Sequence, residues 1–158
     1  MNIGDKFPDL LGKDADGKEV RLSDYPGKNF IIYFYPKDNT PGCTAEACNF
    51  RDNFEIFEKM GYQVIGVSKD SEASHVKFRD KFGLQFPLVA DTETTLCQLA
   101  GVWQKKKMAG REYMGIVRTT FVTDNNGTVT DKVVKVQTKT ASEQLFELLD
   151  NRNDINPA

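Results

Sequence analysis

Long apolar runs are missing from this chain of 158 residues, and no stretch is greasy for long enough to span a bilayer. The opening residues, MNIGDKFPDL, lack the basic start and apolar core of a secretory leader. A dominant charge is missing too. With 21 basic and 23 acidic residues the net charge is −2, which gives no general pull toward nucleic acid or an anionic membrane. There are no repeats, low-complexity tracts or linker-like segments. Cysteine is scarce and odd in number: three residues fit a secreted disulfide framework poorly. The expected compartment is therefore the cytoplasm, where a cysteine pair serves catalysis, redox sensing or metal binding rather than structure. Zinc would need four ligands. Three cysteines, a single histidine and a loose Cys-x4-Cys spacing argue against it. A Cys-x-x-Cys pair is also absent.

The length suits one domain, residues 1–158, that buries its own core. KDADGKEV reads as a small N-terminal β-hairpin. NFIIYFYP (29–36) is a continuous apolar and aromatic run ended by Pro36, as in a central strand buried on both faces. From Pro41 to Met60 the period changes. Phe50, Phe54 and Phe57 share one face of a helix, and Gly61 suits its end. YQVIGVS (62–68) and FPLVAD (86–91) read as strands, and residues 71–83 and 94–101 as helices. Residues 118–136 form a hairpin around Asn-Asn-Gly, and 141–150 a closing amphipathic helix. Alternating strands and helices followed by a hairpin imply an α/β, thioredoxin-like fold. Its central mixed β-sheet is flanked by helices, with the N-terminal β-hairpin added.

The chemistry concentrates in YPKDNTPGCTAEACNF (35–50). Thr40 is the expected N-cap of the helix, with Pro41 at its first position and Cys43 at its third. The cap hydroxyl is expected to aim at the third amide, and so at Cys43. Unpaired amides of the first turn and the positive end of the helix dipole favour a thiolate there, and the same amides suit a developing oxyanion. The reading requires an exposed sulfur at the mouth of the helix. Its plain alternative is a helix start with Cys43 filling space. Pro36 has two readings as well, as a strand terminator or as a roof over the thiol.

Cys43 and Cys48 lie five residues apart. In a regular helix that is about 7.5 Å along the axis, with the Cα atoms roughly 8–9 Å apart. A disulfide wants about 4.4–6.8 Å. The two either never bond, or bond only when the first turns of the helix unwind. His75, the one histidine, is expected at the surface or as a cap in the polar helix start SEASH.

In FYPKDNTPGCTAEAC the chain resembles a peroxiredoxin, and more narrowly the Q-type group, also called bacterioferritin comigratory proteins. The motif Pro-x-x-x-Thr-x-x-Cys is met by Pro36, Thr40 and Cys43. The extension Cys-Thr-x-Glu-x-Cys is met by Cys43, Thr44, Glu46 and Cys48. The likeness continues through GVSKDSEASHVKF, FPLVAD, GVW and GIVRTTFVTDNNG, over roughly residues 3–150. The resemblance implies a thiol peroxidase acting on hydrogen peroxide and organic hydroperoxides without metal, haem or flavin. It makes Cys43 the peroxidatic cysteine, and Thr40 the hydroxyl that orients thiolate and peroxide. Pro36 becomes the shield of the sulfenic acid, and Arg118 the cation that stabilises the charge. Cys48 becomes the resolving cysteine of an intramolecular disulfide, with thioredoxin or a similar dithiol as reductant. Read without the resemblance, Arg118 is a surface strand residue. Some relatives carry the resolving cysteine near position 79, where this chain has Arg79.

Glu46 is expected either beside Arg118 or simply as a favourable charge at the helix start. Cys97, among apolar residues, is expected to be buried and structural. The basic run QKKKMAGRE (104–112) reads as a solvated loop or a patch for the reductant. An internal resolving pair needs no second subunit, which favours a monomer. The rival to the enzyme is a redox sensor or chaperone using the same disulfide switch without turnover.

Overall fold

The computed structural model describes residues 1–155. Leu10–Lys13 (β1) and Glu19–Arg21 (β2) pair antiparallel as the expected N-terminal hairpin. Asn29–Phe34 (β3) follows, then Pro41–Asp52 (α1), Phe54–Lys59 (α2) and Tyr62–Ser68 (β4). Glu72–Phe82 (α3), Leu88–Ala90 (β5) and Thr95–Leu99 (α4) complete the middle of the chain. Trp103–Met108 (β6), Arg111–Ile116 (β7), Thr119–Thr123 (β8), Val129–Val133 (β9) and Ala141–Ile155 (α5) end it. Among these described residues no helix is long and apolar enough to cross a membrane.

The central sheet runs β5-β4-β3-β8-β9. β3, β4 and β5 are parallel, while β8 and β9 are antiparallel additions, so the sheet is mixed. β3 occupies the middle because almost every side chain it carries is apolar or aromatic and both of its faces are covered. Its alternation divides the core. Phe30, Ile32 and Phe34 pack with the N-terminal hairpin and α4. Ile31, Tyr33 and Tyr35 pack with Phe50, Phe57, Phe78 and Leu145 from α1, α2, α3 and α5. The helices thus flank the sheet in the thioredoxin-like arrangement. Gly66 in β4 is forced by this packing, since a Cβ there would stand 3.0 Å from the Tyr33 hydroxyl.

Two expectations change. The helix expected over Pro41–Met60 is broken at Asn53, whose backbone leaves helical geometry and whose side-chain Nδ2 donates to the Asn49 carbonyl at 2.8 Å. Phe50 and Phe57 still fall on one buried face, so the apolar period runs straight through the break. The basic run 104–112 is a β-ribbon rather than a loop. β6 and β7 pair around Ala109-Gly110, both with positive φ, as a two-residue hairpin turn requires. Both faces of this ribbon are largely solvated, so the apolar alternation that marks a strand is missing from its sequence.

Candidate active site

β3 delivers the chain, fully buried through Tyr35, to the turn Pro36–Thr40. Thr40 has extended backbone and Pro41 opens α1, so Cys43 occupies the third helical position, as expected. The first helical bond is Thr44 N–H to the Thr40 carbonyl at 2.8 Å, which leaves the amides of Gly42 and Cys43 without intrahelical partners. Arg118 reaches the same point from the connection between β7 and β8. Its Nη2 donates to Cys43 Sγ at 3.3 Å and its Nη1 to Glu46 Oε1 at 2.6 Å. Glu46 lies three residues after Cys43, on the same side of α1. Gly42 makes room for the guanidinium, because a Cβ there would come within 3.3 Å of Nη2.

The electrostatics follow from burial. Glu46 is fully enclosed, and desolvation lifts its carboxyl from 4.5 to about 7 even though Arg118 pulls the other way. Arg118 stays charged: burial opposes its charge, and Glu46 and Cys43 together outweigh that opposition. Behind them stands Tyr33, raised far above the ordinary phenol range by burial first and then by Glu46 and Cys43. Its hydroxyl and Glu46 Oε2 are the two buried side-chain polar atoms without a hydrogen-bond partner among the described residues.

Three site expectations need correction. The Cys43 sulfur is not exposed: the residue is 1% accessible and packs beside Tyr33, Tyr35 and Ala47. Thr40 is the N-cap by position, but its hydroxyl makes no capping bond and donates to the Lys37 carbonyl at 2.9 Å. His75 is neither at the surface nor a cap. It is fully buried, with Nδ1 2.7 Å from Asp38 Oδ2 and Nε2 3.1 Å from the Val89 carbonyl. Ser71, not His75, caps α3. Asp38, buried in the turn after β3, was missed by the sequence reading, because nothing in PKDNT marks it apart from its solvated neighbours Lys37 and Asn39.

The remaining residues sit as follows. Pro36 is half-buried at the start of the turn. Cys48 is half-buried further along α1, and Cys43, Cys48 and Cys97 are all free thiols. Cys97 is buried in the core. Burial, then a hydrogen bond to Asp91, raises its pKa strongly, so it stays a neutral thiol and packs as a small apolar side chain.

Comparison with known proteins agrees with this arrangement. The model of the AhpC/TSA family matches residues 3–132. Peroxiredoxin Bcp of Bacillus subtilis (strain 168) is 46% identical over 155 residues, covering 98% of this chain and 97% of its own. A solved structure of a PrxQ mutant from Xylella fastidiosa superposes with a TM-score of 0.86 at 35% identity, covering 96% of this chain and 97% of that one. The bacterioferritin comigratory protein of Xanthomonas campestris, described for its alkyl peroxide reduction activity, gives a TM-score of 0.81 at 36% identity over 89% of each chain. The chain belongs to the AhpC/TSA family, among the Q-type peroxiredoxins or bacterioferritin comigratory proteins, and is a peroxidase of the oxidoreductase class.

Proposed function

We propose that Cys43 is the peroxidatic residue and that Cys48 resolves it. The Cys43 thiolate attacks the nearer peroxide oxygen. The O–O bond breaks, the sulfur is oxidised to a sulfenic acid, and the leaving oxygen takes a proton to become water or an alcohol. Cys48 then attacks the sulfenic sulfur, expelling water and forming the Cys43–Cys48 disulfide. Thioredoxin or a similar dithiol reduces that bond by exchange and is itself oxidised. Hydrogen peroxide and organic hydroperoxides are both substrates.

The observation that carries this reading is the Arg118 Nη2 to Cys43 Sγ hydrogen bond of 3.3 Å at the open amides of a helix start. Extra acidity alone would make a thiolate more abundant but less nucleophilic. Donors fixed around the sulfur can instead stabilise charge as it moves to the leaving oxygen. Thr40 orients peroxide and thiolate, and Pro36 shields the sulfenic acid. The disulfide requires α1 to unwind from its first turn, since the intact helix holds the two sulfurs too far apart. The pair is intramolecular, so the chain works as a monomeric single domain, placed in the cytoplasm.

The test is NADPH consumption with thioredoxin, thioredoxin reductase and peroxide. Cys43→Ser is expected to abolish turnover. Cys48→Ser is expected to keep one oxidation event and lose recycling by thioredoxin. Full activity in Cys43→Ser would refute the assignment, and stoichiometric oxidation of the wild type without turnover would favour the sensor. A disulfide to Cys97 in peptide mapping would remove Cys48 as the resolving residue.

A further inference from the structure

We infer that Asp38 and His75 are positioning residues of this site: their buried hydrogen-bonded pair fixes the turn from Lys37 to Thr40 that leads into the Cys43 helix, and with it the Thr40 side chain. The inference rests on the roles just proposed for Cys43 and Thr40.

Asp38 is the one buried residue of the turn Pro36–Thr40, and four hydrogen bonds hold it. Its amide donates to Asp70 Oδ2 at 2.9 Å, from the connection between β4 and α3. Its carboxylate accepts from Tyr35 Oη at 2.6 Å and from Ser74 Oγ at 2.8 Å, and meets His75 Nδ1 at 2.7 Å. Asp70 is itself held by Ser68 Oγ at 2.7 Å. The sheet and α3 thus meet the turn mainly at Asp38, with Lys81 of α3 adding a longer bond to Asn39 Oδ1 at 3.3 Å. Asn39, the next residue, has φ of 57°, the left-handed conformation that asparagine tolerates better than most side chains and that turns the chain toward Thr40. Thr40 Oγ1 then closes the turn on the Lys37 carbonyl. The direction of the Thr40 side chain is therefore set by where Asp38 is pinned.

Both nitrogens of His75 face oxygen acceptors, Asp38 Oδ2 and the Val89 carbonyl. The Val89 carbonyl can only accept, so Nε2 donates to it, while Nδ1 is engaged by the Asp38 carboxyl. With both nitrogens engaged, His75 has none free to take a proton from Cys43, so any influence it has on the thiol passes through the turn. A buried pair of this kind is a weak source of stability but a strong constraint on geometry, because either partner alone would be left buried and unsatisfied. Small misplacements of a reacting group cost rate steeply, about 100-fold for an ångström.

The experiment isolates the first chemical step. In Cys48→Ser protein, oxidation of Cys43 by hydrogen peroxide is followed by quenched flow, with the sulfenic acid trapped and read by intact mass. His75→Gln and Ser74→Ala are each measured with Thr40 present and in Thr40→Val. His75→Gln is expected to slow oxidation by about tenfold or more when Thr40 is present. In Thr40→Val the same change should cost less than about twofold, since residues acting through one group are not additive. Ser74→Ala is expected to follow the same pattern with a smaller loss. Its hydroxyl is half-buried, so it decides the matter if His75→Gln fails to fold by its melting curve. Unchanged rates, or equal losses with and without Thr40, would overturn the positioning role. Failure of the Cys48→Ser parent to form a sulfenic acid would instead overturn the proposed function.

Discussion

Arg118 serves two atoms from one planar group: Nη1 holds Glu46 Oε1 while Nη2 reaches Cys43 Sγ. A guanidinium can do this because its donors form a rigid fork, whereas a lysine carries a compact point charge on a flexible stem. Arg118→Lys keeps the charge and loses the fork. It should slow oxidation of Cys43 by about 100-fold, the scale on which one fixed donor to developing charge matters. Stopped-flow measurement against hydrogen peroxide checks this, and a loss under about threefold would mean that charge alone suffices. Legibility at this scale was uneven. Cys43 announced itself through the Thr-Pro-Gly start of its own helix, a local signal. Arg118 lies 75 positions away and becomes visible only by resemblance or in three dimensions.

At the scale of the element, α1 is anchored unevenly. Asn49, directly after Cys48, locks the helix to the start of α5. Its Nδ2 donates to the Lys139 carbonyl and to Glu143 Oε2, both at 3.0 Å, and its Oδ1 accepts from Ser142 N–H at 2.7 Å. Arg51 adds a bond to the Phe82 carbonyl at 2.8 Å. Upstream, the Asp38 turn is held equally firmly. Between these two clamps, the side-chain hydrogen bonds that α1 makes to other described residues run through Arg118. The unwinding proposed for joining Cys43 with Cys48 would thus be confined to residues 41–48, with Phe50 kept in the core. Asn49→Ala should lower stability by about 1–3 kcal/mol, through the polar groups it strands. It should also raise amide exchange at residues 50–53 toward that of residues 44–48. Hydrogen exchange by mass spectrometry reads both regions, and unchanged protection of 50–53 would remove Asn49 as the boundary. The break at Asn53 escaped the sequence reading because Phe50, Phe54 and Phe57 keep helical spacing across it.

For the whole molecule, the buried Glu46 links folding to pH. Its carboxyl titrates near 7 in the folded chain against 4.5 when solvated, so the folded state holds the proton more tightly. The contribution to stability is therefore full below about pH 4.5 and is lost as pH rises through about 7, amounting to about 3 kcal/mol. Urea unfolding of the reduced protein at about pH 5 and about pH 8 should show this fall, and Glu46→Gln should flatten it. Equal pH dependence in both proteins would assign the effect to other groups. The sequence by itself determined the sheet-and-helix order, the central strand and the helix start under Cys43. Each depends on short-range periodicity, capping and turn chemistry written in neighbouring residues. Only the tertiary structure decided that Cys43 is buried, that Glu46 and Arg118 meet there, and that His75 leaves the surface to hold Asp38. Those outcomes depend on which groups share a low-dielectric interior, and burial of that kind is set by contacts between segments far apart along the chain.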